Sequence, residues 1–383
     1  MSYKAQPTTC FTGIEYNQNL LALNRWVRSA TWEGLAEPNG NVSEEMVKYY
    51  ADLAKGGVGM IITTCMFFDE ERNGVTGFNQ AGLATDEMVA THKALVDACH
   101  AEETPVVAQI NHSGAAAPPF PNLVRQVFSE TVPPMEMPHN VMTIEEIEAI
   151  EDGFVQAAIR CKEIAGYDGV QIHAAHGYLV NQSLSDLTNN RTDKYGEDRT
   201  LFLCNIACKI RAAVGPDYPV LMKLNGDDCL HEGELQIEAK GHTIAQSVEI
   251  IKKLVDVVDT VEVSGGSQIA GPKAMPIRKG NHYKVENQGY FKEYAKAVKQ
   301  AVGDKMRVIS VGGIRSVAGA NQLIEGGFCD AVSMSRPFIA QPDVVNQMFA
   351  DEGLKIKCNS CFKCMPYSFQ NKVSIRCVKD LKE

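Results

Sequence analysis

Eight short apolar runs recur along the 383-residue chain, and the stretches between them have helical spacing. The runs are Trp26–Ser29, Val58–Thr63, Pro105–Ile110, Gly169–His173, Pro219–Leu224, Thr260–Ser264, Arg307–Val311 and Asp330–Met334. Most are continuously apolar and do not alternate, which is how strands covered on both faces read in a parallel sheet. Eight such strands, each leading into a helix, predict an α/β fold of the (β/α)8 TIM-barrel type. A doubly wound sheet is the alternative. It would carry a glycine-rich phosphate fingerprint after its first strand, where this chain has Ala30-Thr31-Trp32-Glu33-Gly34.

The intervening segments carry helix start signals. Ser43 precedes Glu44 and Glu45, then Met46, Val47, Tyr50, Leu53 and Ala54 form an apolar stripe. Thr143 and Glu146 form a capping box ahead of Ile147, Ile150, Phe154, Ala157 and Cys161, and Thr243 with Gln246 repeats it before Val248, Ile251 and Val255. Further helices are expected over 86–102, 199–214, 287–302, 316–326 and 342–351. Three connections, 111–142, 174–198 and 265–286, are far longer than usual, and all would leave strand C-terminal ends, the face where barrel active sites sit. The first contains Pro118-Pro119, Pro121, Pro133-Pro134 and Pro138, and is expected to be stiff and irregular. Residues 1–340 are read as the barrel, and 341–383 as a C-terminal helix with a short cysteine-rich extension.

The net charge, 37 − 47 = −10, offers no basic face to nucleic acid or to an acidic membrane. No apolar stretch reaches the length of a membrane span, and MSYKAQPTTC lacks the layout of a signal peptide, so a cytoplasmic protein is expected. Cys10, Cys65, Cys99, Cys161, Cys204, Cys208, Cys229 and Cys329 stand singly, as reduced thiols used for packing would. The other four of the 12 cysteines, Cys358, Cys361, Cys364 and Cys377, fall within the last 26 residues. Three closely spaced thiols and a fourth match an iron–sulfur or zinc site, with unmetallated thiols as the alternative.

The densest polar cluster follows the fourth run. His173, His176 and Tyr178 would face the barrel mouth, where two imidazoles can hold a carbonyl oxygen and a phenol can deliver a proton. A core histidine with a structural tyrosine is the bland alternative, and metal ligation a third, without obvious completing ligands. After the last two runs come Gly312-Gly313 with Arg315, and Ser335-Arg336. Glycines let backbone N–H groups approach an anion, and the loops after barrel strands seven and eight are where barrels bind phosphate. Gln109, Lys223, Ser29, Ala30 and Thr31 would line the barrel centre. A buried amide suits a heterocycle with alternating N–H and C=O edges, and a core lysine is costly unless it faces an anion.

These pieces together resemble the old yellow enzyme family of FMN-dependent ene-reductases, over nearly the whole chain from Asn24 to Cys377. The segments that carry the resemblance are Asn24-Arg-Trp-Val-Arg-Ser-Ala-Thr31, Gln109-Ile-Asn-His-Ser-Gly114, Ile172-His-Ala-Ala-His-Gly-Tyr178 and Asn190-Arg-Thr-Asp-Lys-Tyr-Gly196. The cysteine tail is similar to the iron–sulfur segment of the subgroup with 2,4-dienoyl-CoA reductase and trimethylamine dehydrogenase. The resemblance implies a barrel with FMN at its C-terminal mouth. It implies that Ala30, Thr31 and Cys65 contact the flavin through backbone, Gln109 pairs with its pyrimidine edge, and Lys223 lies near N1 and O2. It further implies that Gly312, Gly313, Ser335 and Arg336 hold the phosphate, that His173 and His176 bind the substrate oxygen, and that Tyr178 donates a proton. Cys358, Cys361, Cys364 and Cys377 would hold a [4Fe–4S] cluster. The chain departs from the family at Ala115, where an arginine is common, and at Trp32, where others place cysteine or histidine beside the flavin. The stretch Gly196-Glu-Asp-Arg199 is shortened, and the spacing from Cys364 to Cys377 is altered.

The activity expected is hydride transfer from NAD(P)H through FMN to the C=C bond of an α,β-unsaturated carbonyl compound. Large iron–sulfur members carry a nucleotide-binding module after the cysteines, and this chain stops six residues beyond Cys377, so electrons are expected directly from NAD(P)H or from a separate donor protein. A homo-oligomer is expected, with no nucleic acid or membrane partner. The alternatives are an amine-oxidising or demethylating flavoprotein on the same scaffold, a metal-dependent barrel hydrolase, and a non-catalytic electron carrier.

Overall fold

Side-chain alternation along short strands divides this molecule into layers. The computed structural model describes residues 8–130, 136–232, 241–269, 271 and 273–381. Its eight parallel strands are β1 (Trp26–Arg28), β2 (Met60–Met66), β3 (Val106–Ile110), β4 (Gly169–Ala174), β5 (Val220–Asn225), β6 (Thr260–Ser264), β7 (Arg307–Val311) and β8 (Ala331–Met334). They pair in chain order and close as a barrel, with β8 hydrogen-bonded to β1. Successive residues face opposite sides of a strand, so one set fills the barrel and the other meets the helices.

The inward set is itself graded. Val27, Met60, Ile62, Val107, Leu221, Ile309 and Ala331 form an apolar layer near the strand starts. An N-terminal hairpin, Ile14–Asn17 paired with Leu20–Ala22, packs Ile14, Tyr16, Leu20 and Ala22 against that layer and plugs this end. Two residues further along the strands stand Ser29, Gln109, Lys223 and Ser333, all buried. The barrel is thus sealed and oily at one end and polar at the other.

The outward set packs under the helices. The principal ones are α1 (Glu44–Lys55), α2 (Lys93–His100), α3 (Ile144–Arg160), α4 (Leu201–Val214), α5 (Ile244–Leu254), α6 (Lys292–Val302), α7 (Val317–Glu325) and α8 (Val344–Ala350). Helix α1 starts where Ser43 accepts from the Met46 N–H, and it buries Met46, Tyr50, Leu53 and Ala54. Helix α3 carries the reciprocal box: Thr143 Oγ1 accepts from Glu146 N at 3.2 Å, and Thr143 N donates to Glu146 at 2.8 Å. Such caps contribute about 1 kcal/mol each.

The structure corrects several sequence expectations. The second strand starts later than Val58 and runs on to Met66, with a register shift between Ile62 and Cys65 that sets Cys65 beside Gln109. Its threonines, Thr63 and Thr64, hide that continuation in an apolar pattern. The helix expected over 86–102 is two pieces, Asp86–Ala90 and α2. Between them the buried His92 ring bonds the Gly82 carbonyl at 3.0 Å and Tyr167 Oη at 2.8 Å. Helix α6 begins at Lys292 and not at 287, because Gln288 is turned inward to accept from Arg315 N. The 111–142 connection is not wholly irregular: Arg125–Val127 and His139–Val141 pair as short parallel strands. Pro133-Pro134 lies outside the described residues. The hairpin that plugs the barrel was not anticipated. Among the described residues, no helix is long and apolar enough to cross a membrane.

Candidate active site

The polar end of the barrel opens into a cleft enclosing about 1090 Å3 of free space out to its mouth. Ser29, Ala30, Thr31, Cys65, Gln109, His173, His176, Tyr178, Lys223, Gly312, Gly313, Ser335 and Arg336 all line it. Residues that are scattered through three hundred positions of sequence meet here because each ends a strand of the same closed sheet.

The floor of the cleft is a belt of hydrogen bonds. Gln109 Nε2 donates to Gln171 Oε1 at 2.6 Å, and Gln171 Nε2 donates to Glu262 Oε2 at 3.2 Å. Lys223 Nζ lies 3.1 Å from Glu262 Oε2 and 2.8 Å from Ser29 Oγ, and Ser333 Oγ donates to Glu262 Oε1 at 2.7 Å. Burial pushes the Glu262 carboxyl up, but Lys223 and the hydrogen bonds from Ser29 and Ser333 outweigh it and hold the acid below its usual range. Glu262 was missed in the sequence. Its signal was there, as a charged residue in the middle of the apolar run Thr260-Val-Glu-Val-Ser264.

One wall carries the imidazoles and the phenol. The rings of His173 and Tyr178 stand edge to face with centroids 4.8 Å apart, and His173 and His176 likewise at 5.3 Å. The Ala175 N–H donates to His173 Nδ1 at 3.3 Å, so a neutral His173 carries its proton on Nε2. His176 Nε2 lies 2.7 Å from Ser264 Oγ, and its backbone, at φ +67°, is held by Asn225 Oδ1, which accepts from His176 N at 3.2 Å. Asn181 Oδ1 accepts from Gly177 N at 2.7 Å, and Asp228 accepts from both Asn181 and Asn225. Burial and then the Lys223 charge hold both imidazoles well below the usual histidine range, so both are neutral near pH 7. Burial raises the Tyr178 phenol, opposed in part by Gln268, and keeps it protonated.

The opposite end of the cleft is lined by two glycines and two arginines. Gly312 and Gly313 have φ of +128° and +73°, and a Cβ on either would come within 2.8 Å of the Tyr290 ring. Their backbone can approach a ligand as no other residue type would permit. Arg315 and Arg336 line the same end. Arg336 Nη1, Arg315 Nε and His282 Nε2 are buried donors or acceptors without a partner among the described residues. Unsatisfied buried cationic donors beside two bare glycines fit a phosphate. Tyr290, Arg315, Ser264 and Gln268 also line the cleft; of these four, only Arg315 stood beside a motif visible in the sequence.

The C-terminal segment forms the remaining wall. Helix α9 (Cys364–Asn371) brings Met365 to the cleft together with Phe362 and Ile375. Ile375 N donates to the Glu33 carbonyl at 2.7 Å. Cys358, Cys361, Cys364 and Cys377 surround one small cavity beside the cleft, and Cys364 lines both. Among the described residues, no group of three or more His, Cys, Asp or Glu side chains is arranged to hold a metal ion. As they stand, the four thiols share a cavity without forming a closed ligand set.

A closed parallel barrel whose polar strand ends open into one cleft defines a (β/α)8 protein with a candidate site at the strand C-terminal ends. The chain belongs to the NADH:flavin oxidoreductase / NADH oxidase family, whose model matches residues 10–354. It is 33% identical over 360 residues to an NADH oxidase of Thermoanaerobacter brockii, covering 90% of this chain and 51% of that protein. It is 25% identical over 366 residues to a cinnamate reductase of Clostridium sporogenes, covering 90% of this chain and 53% of that protein. The chain therefore spans about half the length of these relatives. A 2-naphthoyl-CoA reductase structure superimposes with a TM-score of 0.85 at 27% identity, over 97% of this chain and 56% of that one. An old yellow enzyme homologue from Zymomonas mobilis shares the fold, with a TM-score of 0.74 at 22% identity over 95% of this chain and 99% of that one.

Proposed function

We propose that the cleft binds FMN and reduces the C=C bond of an α,β-unsaturated carbonyl compound at the expense of NAD(P)H. The observation that carries this reading is one continuous cleft with a neutral imidazole pair and a protonated phenol on one wall and an anion cradle at the other end. Gly312, Gly313, Arg315, Ser335 and Arg336 would hold the phosphate, and Gln109 and Lys223 the polar edge of the ring. When bound, FMN supplies a hydride accepted from NAD(P)H.

The protein's own groups do the rest. His173 Nε2–H and His176 donate to the carbonyl oxygen and stabilise the negative charge that grows there as hydride reaches Cβ. Tyr178 Oη gives its proton to Cα. Neutral imidazoles suit the task, because they donate hydrogen bonds without transferring a proton to the oxygen. The 25% identical cinnamate reductase supports a substrate with a conjugated C=C bond.

Cys358, Cys361, Cys364 and Cys377 are the proposed ligands of an iron–sulfur cluster, a reading supported by their shared cavity. Residues 1–340 and 341–383 are proposed as barrel and extension. Absorbance spectra of anaerobically purified protein, with flavin, iron and sulfide analysis, test both cofactors. Stopped-flow mixing with NADH, NADPH and then an enone tests the reaction. Colourless protein that takes up no added FMN refutes the flavin reading. Flavin reduced by neither nucleotide leaves a separate donor protein as the source of electrons.

A further inference from the structure

Lys223 is described above as the cation of the cleft floor, but it does not stand alone. Its Nζ is 3.1 Å from Glu262 Oε2, and the two side chains are 3% and 0% exposed. They sit opposite each other in the β5–β6 register, on adjacent strands. Lys223 lines the cleft and Glu262 does not. Glu262 accepts from Ser333 Oγ at 2.7 Å and from Gln171 Nε2 at 3.2 Å, so both of its oxygens are engaged. A carboxylate this buried persists only because it is paired and fully hydrogen-bonded. Seen from the cleft, the floor therefore presents a partly compensated cation and not a whole positive charge.

We propose that Glu262 is a positioning and tuning residue that sets how much of the Lys223 charge reaches a ring bound above it. This rests on the FMN reading given under the proposed function. A hydride adds two electrons and one hydrogen nucleus to the isoalloxazine, which gains one negative charge on its N1 and C2=O edge. A nearby cation favours that charge, and an anion paired with the cation offsets the effect. Glu262 thus keeps the bound flavin a stronger reductant than Lys223 alone would make it. The same pairing fixes the Lys223 side chain in one direction, with Ser29 Oγ as its second partner.

The test uses the flavin-loaded protein and equilibrium dye reduction, with sulfite binding as a second readout that also places negative charge on the ring. Glu262→Gln keeps the shape of the side chain and removes its charge: its amide oxygen can still accept from Gln171 and Lys223, while its NH2 group donates to Ser333 Oγ, reversing that one hydrogen bond. It is expected to shift the oxidised–reduced equilibrium at least tenfold toward reduced flavin, about 30 mV for a two-electron couple. Sulfite should bind more tightly by a similar factor. Lys223→Met should move both readouts the opposite way, and the double variant should return them to within a few-fold of the parent. A purely structural role predicts weaker flavin binding in both single variants with no opposed shift, and that result overturns the proposal. Should Glu262→Gln fail to melt cooperatively, Glu262→Asp, which withdraws the charge by one methylene, should give a smaller upward shift. An unchanged or lowered potential in Glu262→Asp also overturns it. Parent protein that binds no flavin refutes the functional reading instead, and the two failures are thereby distinct.

Discussion

The indole of Trp32 lies on the ring of Phe369, with centroids 4.5 Å apart and planes inclined by 32°. Trp32 lines the cleft after the first strand, and Phe369 belongs to α9 of the cysteine tail. Phe78 stands edge-on to both, at 4.9 Å and 5.7 Å. This three-ring contact joins the Ile375 N–Glu33 O hydrogen bond in fastening the extension to the barrel and making it part of the cleft.

Phe369→Ala should therefore loosen the tail while sparing the barrel. Phe369 is 38% exposed, so the expected cost is about 1–2 kcal/mol, below that of a fully buried aromatic. The chain has 2 tryptophans, and Trp26 is fully buried, so a red shift in emission reports on Trp32. The variant should show that shift and faster proteolysis after α9, with little change in the main melting transition. Unchanged emission would mean that the tail is held by other contacts.

Tyr178→Phe isolates proton delivery. The phenyl ring preserves the edge contact with His173, so the cleft keeps its shape. Reduction of the enone should slow by about 10²–10⁴-fold, the usual contribution of general acid catalysis. Reduction of the flavin by NAD(P)H should change little. Equal losses in both half-reactions would remove Tyr178 from the proton-donor role.

Acid should destabilise the fold through its buried histidines. Burial lowers His92 to about 4, and His112, His173, His176 and His242 are shifted in the same direction by the same leading cause. In the unfolded chain these rings titrate near about 6.5. Below that pH the unfolded state binds more protons, so stability falls as pH falls. Each ring contributes up to about 1.4 kcal/mol per pH unit until its folded-state value is reached. Melting temperature should thus drop from pH 7 to pH 5, and His92→Gln should flatten the slope. A melting temperature independent of pH in that range would contradict the assignment. Above pH 7 the imidazoles and the phenol do not change state, so enone reduction should be flat from pH 7 to pH 9.

Gly312→Ala tests the cradle. The new Cβ would need to displace the Tyr290 ring from 2.8 Å, at a φ of +128° that alanine strongly disfavours. Flavin affinity should fall at least tenfold, about 1.4 kcal/mol, in fluorescence titration. The unloaded protein should still melt cooperatively. Unchanged affinity would place the phosphate elsewhere.

Much of this molecule was legible in one dimension. Strand runs such as Thr260–Ser264 and Arg307–Val311 match their structural bounds, because burial on both faces leaves a continuous apolar mark. The His173-Ala-Ala-His-Gly-Tyr178 and Gly312-Gly313 segments were visible as local concentrations of chemistry. The hairpin Ile14–Asn17 with Leu20–Ala22 was not, since its short alternating strands gain stability only from the barrel end they cover. The break at His92 was likewise hidden, because its partners Gly82 and Tyr167 are supplied by other parts of the chain.

The sequence alone determined the period of the pattern, and with it eight strands, their helices and the chemistry carried at each strand end. Only closure of the sheet decided which ends face one another. Glu262 reads as an oddity in an apolar run until β5 sets Lys223 opposite it, 3.1 Å away. Trp32 and Phe369, more than three hundred residues apart, meet only once the tail folds back over the mouth. Periodicity is a property of neighbours along the chain, whereas the charge balance and walls of a cleft depend on contacts between distant segments, which no local pattern encodes.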